Sequence, residues 1–443
     1  MAEAGGAGAG LQGRLGFWHL VGYGLALIAP TAPLNTLGVV WGKAHGLIAL
    51  SYLLGGLCMA FTAASYAVMV REVRSAGSLY GFARAALGPF AGFMGGWMIL
   101  LDYLMIPSLV YVIMAVALGQ LMPEVDRAVW IVALLGFTTA VNWFGIRSTS
   151  AFNAVSVIAQ IAVMMVLVTA GVLFLGPVHA FSPAPVWADP LPWQGVLAGT
   201  SVCVLSFLGF DAVSTLAEDT ADRSGRTLGR AILAVLALAT VFFGLSTWVL
   251  GNAMVGRHFA SLDAAHYELA GAMLGAWARP GLAWFTALVV GFTNALPMQV
   301  GVARVLYAMG RDGQVPTLFA RLHARHNTPW VAMLATTALS LVVALAFRDA
   351  MDFLATLVNF GALTGFALLH VCVFVRFRRS ARRNLWLHVV SPLVGLAVIA
   401  VILSGMGAWA LLLGCGWLAL GLAWWQGAAR HAPPPASDLA YSV

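Results

Sequence analysis

Twelve apolar runs dominate this 443-residue chain: 17–40, 46–70, 91–119, 128–145, 152–176, 194–217, 228–252, 281–309, 330–347, 353–375, 386–404 and 407–427. Runs of this length suit helices crossing a hydrocarbon layer about 30 Å thick. Lipid offers the backbone no hydrogen-bond partner, so a spanning segment must be a helix or part of a closed barrel, and these runs are too long for barrel strands. The expected fold class is therefore an all-α polytopic membrane protein with about 12 transmembrane helices. Composition agrees, with 61% hydrophobic and 9% charged residues, where a soluble chain carries roughly 25% charged. An ordinary soluble enzyme and a disordered chain are both excluded.

With the runs numbered as spans 1–12, the basic residues separate by side. The N-terminus, the even-numbered connections and the tail hold eighteen of the 23 Lys and Arg; the odd-numbered connections hold only Lys43, Arg127, Arg257, Arg279 and Arg348. Cationic loops stay inside, so both termini are expected in the cytoplasm and the chain in the plasma or inner membrane. The net charge of +7 is thus a topology signal, and no nucleic-acid partner is expected. Cys58, Cys203, Cys372 and Cys415 all fall in apolar runs, without metal or disulfide spacing. No metal or cofactor is expected. Residues 1–14 and 429–443 read as flexible cytoplasmic ends, and the longer connections 71–90 and 253–280 have room for short surface helices.

Spans 1 and 6 carry helix-breaking residues. Pro30 and Pro33 bracket Thr31-Ala32 in span 1, and Gly209 and Asp211 interrupt span 6. Span 6 lies an odd number of spans after span 1, so the two enter the membrane in opposite senses. Matching breaks in two halves point to an inverted repeat with a binding site at the breaks; two kinked helices without a ligand would give the same pattern. The expected organisation is 15–180 as a first repeat of spans 1–5, 190–378 as a second of spans 6–10, and 385–428 as two further helices.

Three stretches resemble the amino acid–polyamine–organocation superfamily of transporters. They are the connection from Arg71 to Trp97 with Gly77, Tyr80 and Ala86-Leu87-Gly88, the segment Phe207 to Asp219 in span 6, and Ala303 to Pro316 after span 8 with its Arg311-Asp312-Gly313. The resemblance implies five-plus-five inverted repeats, discontinuous helices 1 and 6, and alternating-access transport of a small amine-bearing solute. Gly96 to Tyr111 and Gly145 to Met165 look most like putrescine-importer-type permeases.

Ionised groups inside a bilayer need a reason, and only two acids lie within spans, Asp102 and Asp211. Asp102 is read as the partner of a substrate ammonium or as the carboxylate that carries the coupled proton, against a protonated structural acid. Asp211 has the same two readings, against a cap for backbone freed by the break. Amino acid carriers resembling this chain hold the substrate carboxylate on amides of a Gly-rich break in helix 1; here Pro30 and Pro33 lack the N–H. The loss of two donors favours a ligand with amines and no carboxylate, although the Thr31 and Ala32 amides remain for an amino acid. Some proton-coupled relatives carry a lysine in helix 5, where this chain shows Gln160, which cannot titrate.

Tyr103, Tyr111, Phe207 and Phe210 are candidates for a cation–π wall. Asn294 and Asn359 are cavity-lining candidates or interhelical glue. Glu218, near Arg223 and Arg226, is a candidate inner gate. Expected partners are the amine, a proton and the bilayer, in a monomer or homodimer. An intramembrane enzyme would need a catalytic cluster, and the sequence has no HExxH and only His370 well inside a span. A channel on the same fold differs only in never concentrating its solute.

Overall fold

The computed structural model describes residues 15–73, 78–143, 150–217, 220, 222, 224–311, 315–323, 328–381 and 383–427. Apart from one isolated bridge between Leu15 and Thr220, the described residues form helices and their connections. Among the described residues, nine helices are long and apolar enough to cross a bilayer. The pair Phe17–Ile28 and Ala32–Lys43, bent by 48°, forms another crossing. Two shorter apolar helices, Arg127–Trp143 and Trp330–Ala346, correspond to spans 4 and 9. At 17 residues each is about 25 Å long, at the short end for a crossing. Together these account for all twelve apolar runs.

The remaining spans are Ile48–Glu72 (2), Pro89–Gly119 (3), Ser150–Leu175 (5), Arg226–Met254 (7), Met351–Phe377 (10) and Ala408–Gly427 (12). Span 8 joins Ala278–Phe285 to Phe292–Arg311 through a π-helical turn, Thr286–Gly291, and span 11 opens with another, Trp386–Val390, before Ser391–Ser404. The connections expected to hold surface helices do so, at Ser78–Leu87 and Ala265–Leu274.

Ion pairs separate the two ends of the bundle. Lys43–Asp352 (3.1 Å), Arg127–Asp349 (3.2 Å) and Arg348–Asp126 (3.3 Å) join odd-numbered connections to one another. Glu72–Arg376 (3.4 Å) joins two even-numbered ones at the opposite end. Alternation of the loops, inferred above from basic residues, is therefore a property of the fold. Span 12 is fixed to span 3 by Trp97 and Trp417, whose indole N–H groups each donate to the other's carbonyl at 2.9 Å while the rings stack 4.6 Å apart.

Both interrupted helices break where the sequence places the signal. Ala29 takes φ +56° immediately before Pro30, and Thr31 precedes the new helix. Pro33 lies in the first turn of that half, where a missing N–H removes no intrahelical bond. Span 6 runs Trp193–Cys203, tightens to a 3-10 turn at Val204–Phe207, breaks at Gly209 (φ +113°) and resumes as 3-10 helix, Asp211–Ala217.

Candidate transport site at the two helix breaks

The breaks of spans 1 and 6 touch. A Cβ on Gly209 would lie 2.9 Å from the carbonyl carbon and oxygen of Leu27, two residues before the span 1 break. Gly209 thus meets two demands, a positive φ and backbone-to-backbone contact, that no other residue meets without strain. The Gly209 amide donates to Asp211 Oδ1 at 3.2 Å, so one carboxylate oxygen satisfies backbone freed by the break. Asp211 is half-buried.

From the span 1 break a polar chain crosses the bundle. Thr31, 3% exposed, donates its hydroxyl to Gln160 Oε1 at 3.0 Å. Gln160 Nε2 reaches Ser156 Oγ at 3.3 Å, and Ser156 meets the Thr293 hydroxyl at 2.9 Å. Thr293 in turn donates to the Val289 carbonyl in the π-helical turn of span 8. The Ala32 amide, left above as a donor for a substrate carboxylate, is already engaged by the Ala29 carbonyl at 2.8 Å. Of the two amides between the prolines, only that of Thr31 makes no backbone hydrogen bond among the described residues.

Asp102 lies on span 3, 7% exposed, with Oδ1 buried and without a hydrogen-bond partner among the described residues. Its peptide is pressed against span 10 at Gly361, where a Cβ would come 2.9 Å from the Asp102 nitrogen. That close approach fixes the carboxylate by its backbone. Asp102, Asp211, Tyr66 and Tyr103 are near enough to interact electrostatically. Tyr66 is fully buried in a box of Phe82, Phe210 and Phe366, each ring centroid 6.0 Å from its own. Its hydroxyl approaches Ser78 but meets hydrogen-bond geometry with no partner among the described residues. No sequence motif marks Tyr66, Ser156, Thr293 or Gly361; they join the site through packing alone.

The other candidates divide. Phe210 packs beside the break as part of the Tyr66 box, and Tyr103, half-buried, follows Asp102. Phe207 is fully buried against Tyr52 and Phe243, at 6.1 and 5.4 Å, so its ring belongs to the core in this conformation. Tyr111 shares a 2.6 Å hydrogen bond with Thr138 and joins span 3 to span 4. Asn294 donates to the Val290 carbonyl of its own helix at 2.7 Å. Asn359 donates to the Ser201 and Val202 carbonyls at 2.6 and 3.2 Å, satisfying acceptors at the end of the first half of span 6. Glu218, Asp219, Arg223, Gly77, residues 144–149 and 312–314, and the side chains of Arg304, Arg311 and Pro297 lie outside what the structure describes. Among the described residues no cluster of three or more His, Cys, Asp or Glu side chains has metal-binding geometry.

A helical bundle in which two interrupted helices meet near a buried and a half-buried carboxylate fits a multi-pass membrane transporter. The chain belongs to the amino acid permease family, whose model matches residues 18–416. It is 30% identical over 410 residues to the low-affinity putrescine importer PlaP of Escherichia coli strain K12, with 90% of each chain covered. It is 28% identical to the branched-chain amino acid permease BcaP of Bacillus subtilis, over 82% of this chain and 81% of that one. To cationic amino acid transporter 4 of Homo sapiens it is 26% identical, over 83% of this chain and 59% of that one. The protein is a membrane transporter of amino acids or related amines, and not an enzyme.

Proposed function

We propose that this transporter imports a small diamine of the putrescine kind across the cytoplasmic membrane by alternating access, coupled to protons. Asp102 receives one ammonium, and Asp102, with Asp211 behind it, takes up and releases the proton. The observation that carries this reading is a buried Asp102 carboxylate with a partnerless Oδ1, in a site whose helix breaks offer few amide donors. An unpaired buried carboxylate is costly and fits a site whose cation arrives with the substrate. Likeness to PlaP points the same way. Residues 15–180 and 190–378 act as the two repeats, with 385–428 as the added pair, and the eighteen-to-five basic asymmetry sets both termini in the cytoplasm. Monomer and homodimer both accommodate this mechanism.

Uptake of an amino acid is the second reading, favoured by the Thr31 amide, which can still meet a carboxylate at a half-helix N-terminus, and by likeness to BcaP. Proteoliposomes test the coupling. Putrescine should accumulate above its external concentration under an inwardly directed proton gradient, and a protonophore should abolish it. Accumulation driven only by sodium overturns proton coupling, and flux that never exceeds equilibrium overturns the carrier reading.

A further inference from the structure

At the odd-loop end of the bundle, four polar side chains converge on a gap that the mechanism above does not use. Asn35 of span 1, Asp263 of the turn before the surface helix 265–274, and His266 and Tyr267 of that helix surround it with Ile113, Val116 and Met351. Between them lies about 150 Å³ free of protein atoms, part of it open to solvent and none of it wide enough for a water molecule. Both ring nitrogens of His266 and the hydroxyl of Tyr267 are buried without hydrogen-bond partners among the described residues. Tyr267 approaches Thr286 of span 8 without meeting hydrogen-bond geometry. His266 is 4% exposed and its ring lies 3.9 Å from that of Tyr267. Buried polar atoms are nearly always paired, so several orphans facing one gap mark a place where a ligand or water enters when the gap widens.

The chemistry of the lining selects a cation. Asp263 is a carboxylate only loosely paired, its nearest base Arg127 lying 3.9 Å away. Arg127 is held more closely by Asp349 and by the Arg348 carbonyl, both at 3.2 Å. Around the rim the acids Asp126, Asp263, Asp349 and Asp352 outnumber the bases Lys43, Arg127 and Arg348. Burial pushes the His266 imidazole down to about 3, so in this closed form it is neutral and presents an acceptor nitrogen. Burial holds the Asp263 carboxyl above its usual range, Arg127 opposes that, and Asp352 and Asp349 add to it. Ile113, Val116 and Met351 supply an apolar wall of the kind a methylene chain would cover.

The cluster lies on the odd-loop side of the helix breaks, on the two spans that carry Thr31 and Asp102. Asn35 follows Thr31 by four residues, on the same face of the second half of span 1. Ile113 follows Asp102 by eleven residues on span 3, about 16 Å along the helix. The surface segment rests directly on span 1, since a Cβ on Gly38 would collide with the Leu262 carbonyl oxygen.

We propose that Asn35, Asp263, His266 and Tyr267 form an outer station that binds the ammonium end of the amine before it reaches Asp102. The station rests on the diamine reading and adds a second ligand site to it. Its test is equilibrium dialysis of radiolabelled putrescine against purified wild-type protein, Asp102→Asn, Asp263→Asn and the double variant. Wild type should show two classes of saturable binding and each single variant one, with at least a tenfold loss in the class it removes. The double variant should show none. Asn35→Ala should weaken the outer class alone. A single class in wild type that disappears with Asp102→Asn and is unchanged by Asp263→Asn overturns the station and leaves the diamine reading standing. Wild-type protein that binds amino acids but no putrescine overturns both.

Discussion

Replacing Asp102 by Asn removes a charge while preserving shape, so the contact between the Asp102 peptide and Gly361 survives. What disappears is the attraction between an ammonium and a carboxylate that is 7% exposed and whose Oδ1 has no partner. A hydrogen bond to a charged group contributes about 1.5–3 kcal/mol net, which at 1.36 kcal/mol per decade is roughly a 10- to 150-fold loss of affinity. Asp211→Asn should lose less, because the Asp211 carboxylate accepts the Gly209 amide at 3.2 Å and an Asn carbonyl can accept it too. The assay is the dissociation constant of the central site for putrescine on purified variants, alongside their melting temperatures and membrane content. An Asp102→Asn protein that is well folded and binds within twofold of wild type would refute the reasoning. So would an Asp211→Asn variant that loses more affinity than Asp102→Asn.

Gly209→Ala places a side chain at φ +113° and within 2.9 Å of the Leu27 backbone; backbone strain alone costs about 1–3 kcal/mol, and melting temperature and uptake should both fall. Gln160→Leu leaves the Thr31 hydroxyl without its partner and takes from Ser156 one of its two, a loss of about 1–3 kcal/mol visible as a lower melting temperature with reduced uptake. Acid should favour the outward-open form: His266 is held near 3 by burial in the closed gap and returns towards 6.5 once hydrated, so protons bind the open form more tightly as pH falls below 6.5. At pH 5 that bias is about 2 kcal/mol. Asn35 and Tyr267 face the imidazole, with Asp263 and, behind it, Arg127, Asp349 and Asp352. Spin labels at exposed Glu124 and Val255 should report widening on acidification, lost in His266→Leu and retained in Asp263→Asn; widening that persists in His266→Leu contradicts the assignment.

The twelve spans were legible because burial in lipid leaves a continuous apolar run, a local signal needing no knowledge of neighbours. The breaks were legible for the same reason: a missing N–H at Pro30 and a positive φ at Gly209 are properties of single residues. What remained hidden depends on contact between distant segments. Nothing near Thr31 indicates that its partner is Gln160, 129 residues away. Asn359 reads as any polar residue in a helix until the Ser201 and Val202 carbonyls are seen against it. The aromatics show the limit most plainly. Phe207 and Phe210 are three residues apart, yet the tight 3-10 turn and the Gly209 break send one into the Tyr52–Phe243 core and the other to Tyr66. His266 sits in a connection that reads as solvated, and only the packing of helix 265–274 onto span 1 buries it.

The central claim is that this permease selects amines lacking a carboxylate, because the helix 1 break has lost amide donors to Pro30, Pro33 and the Ala32–Ala29 bond while Asp102 stays unpaired. Competition against radiolabelled putrescine on the purified protein tests it most directly. Diamines of similar length should displace the label, while alanine, glutamate and arginine should not. Displacement of the label by alanine, glutamate or arginine, or no binding of putrescine at all, would contradict it.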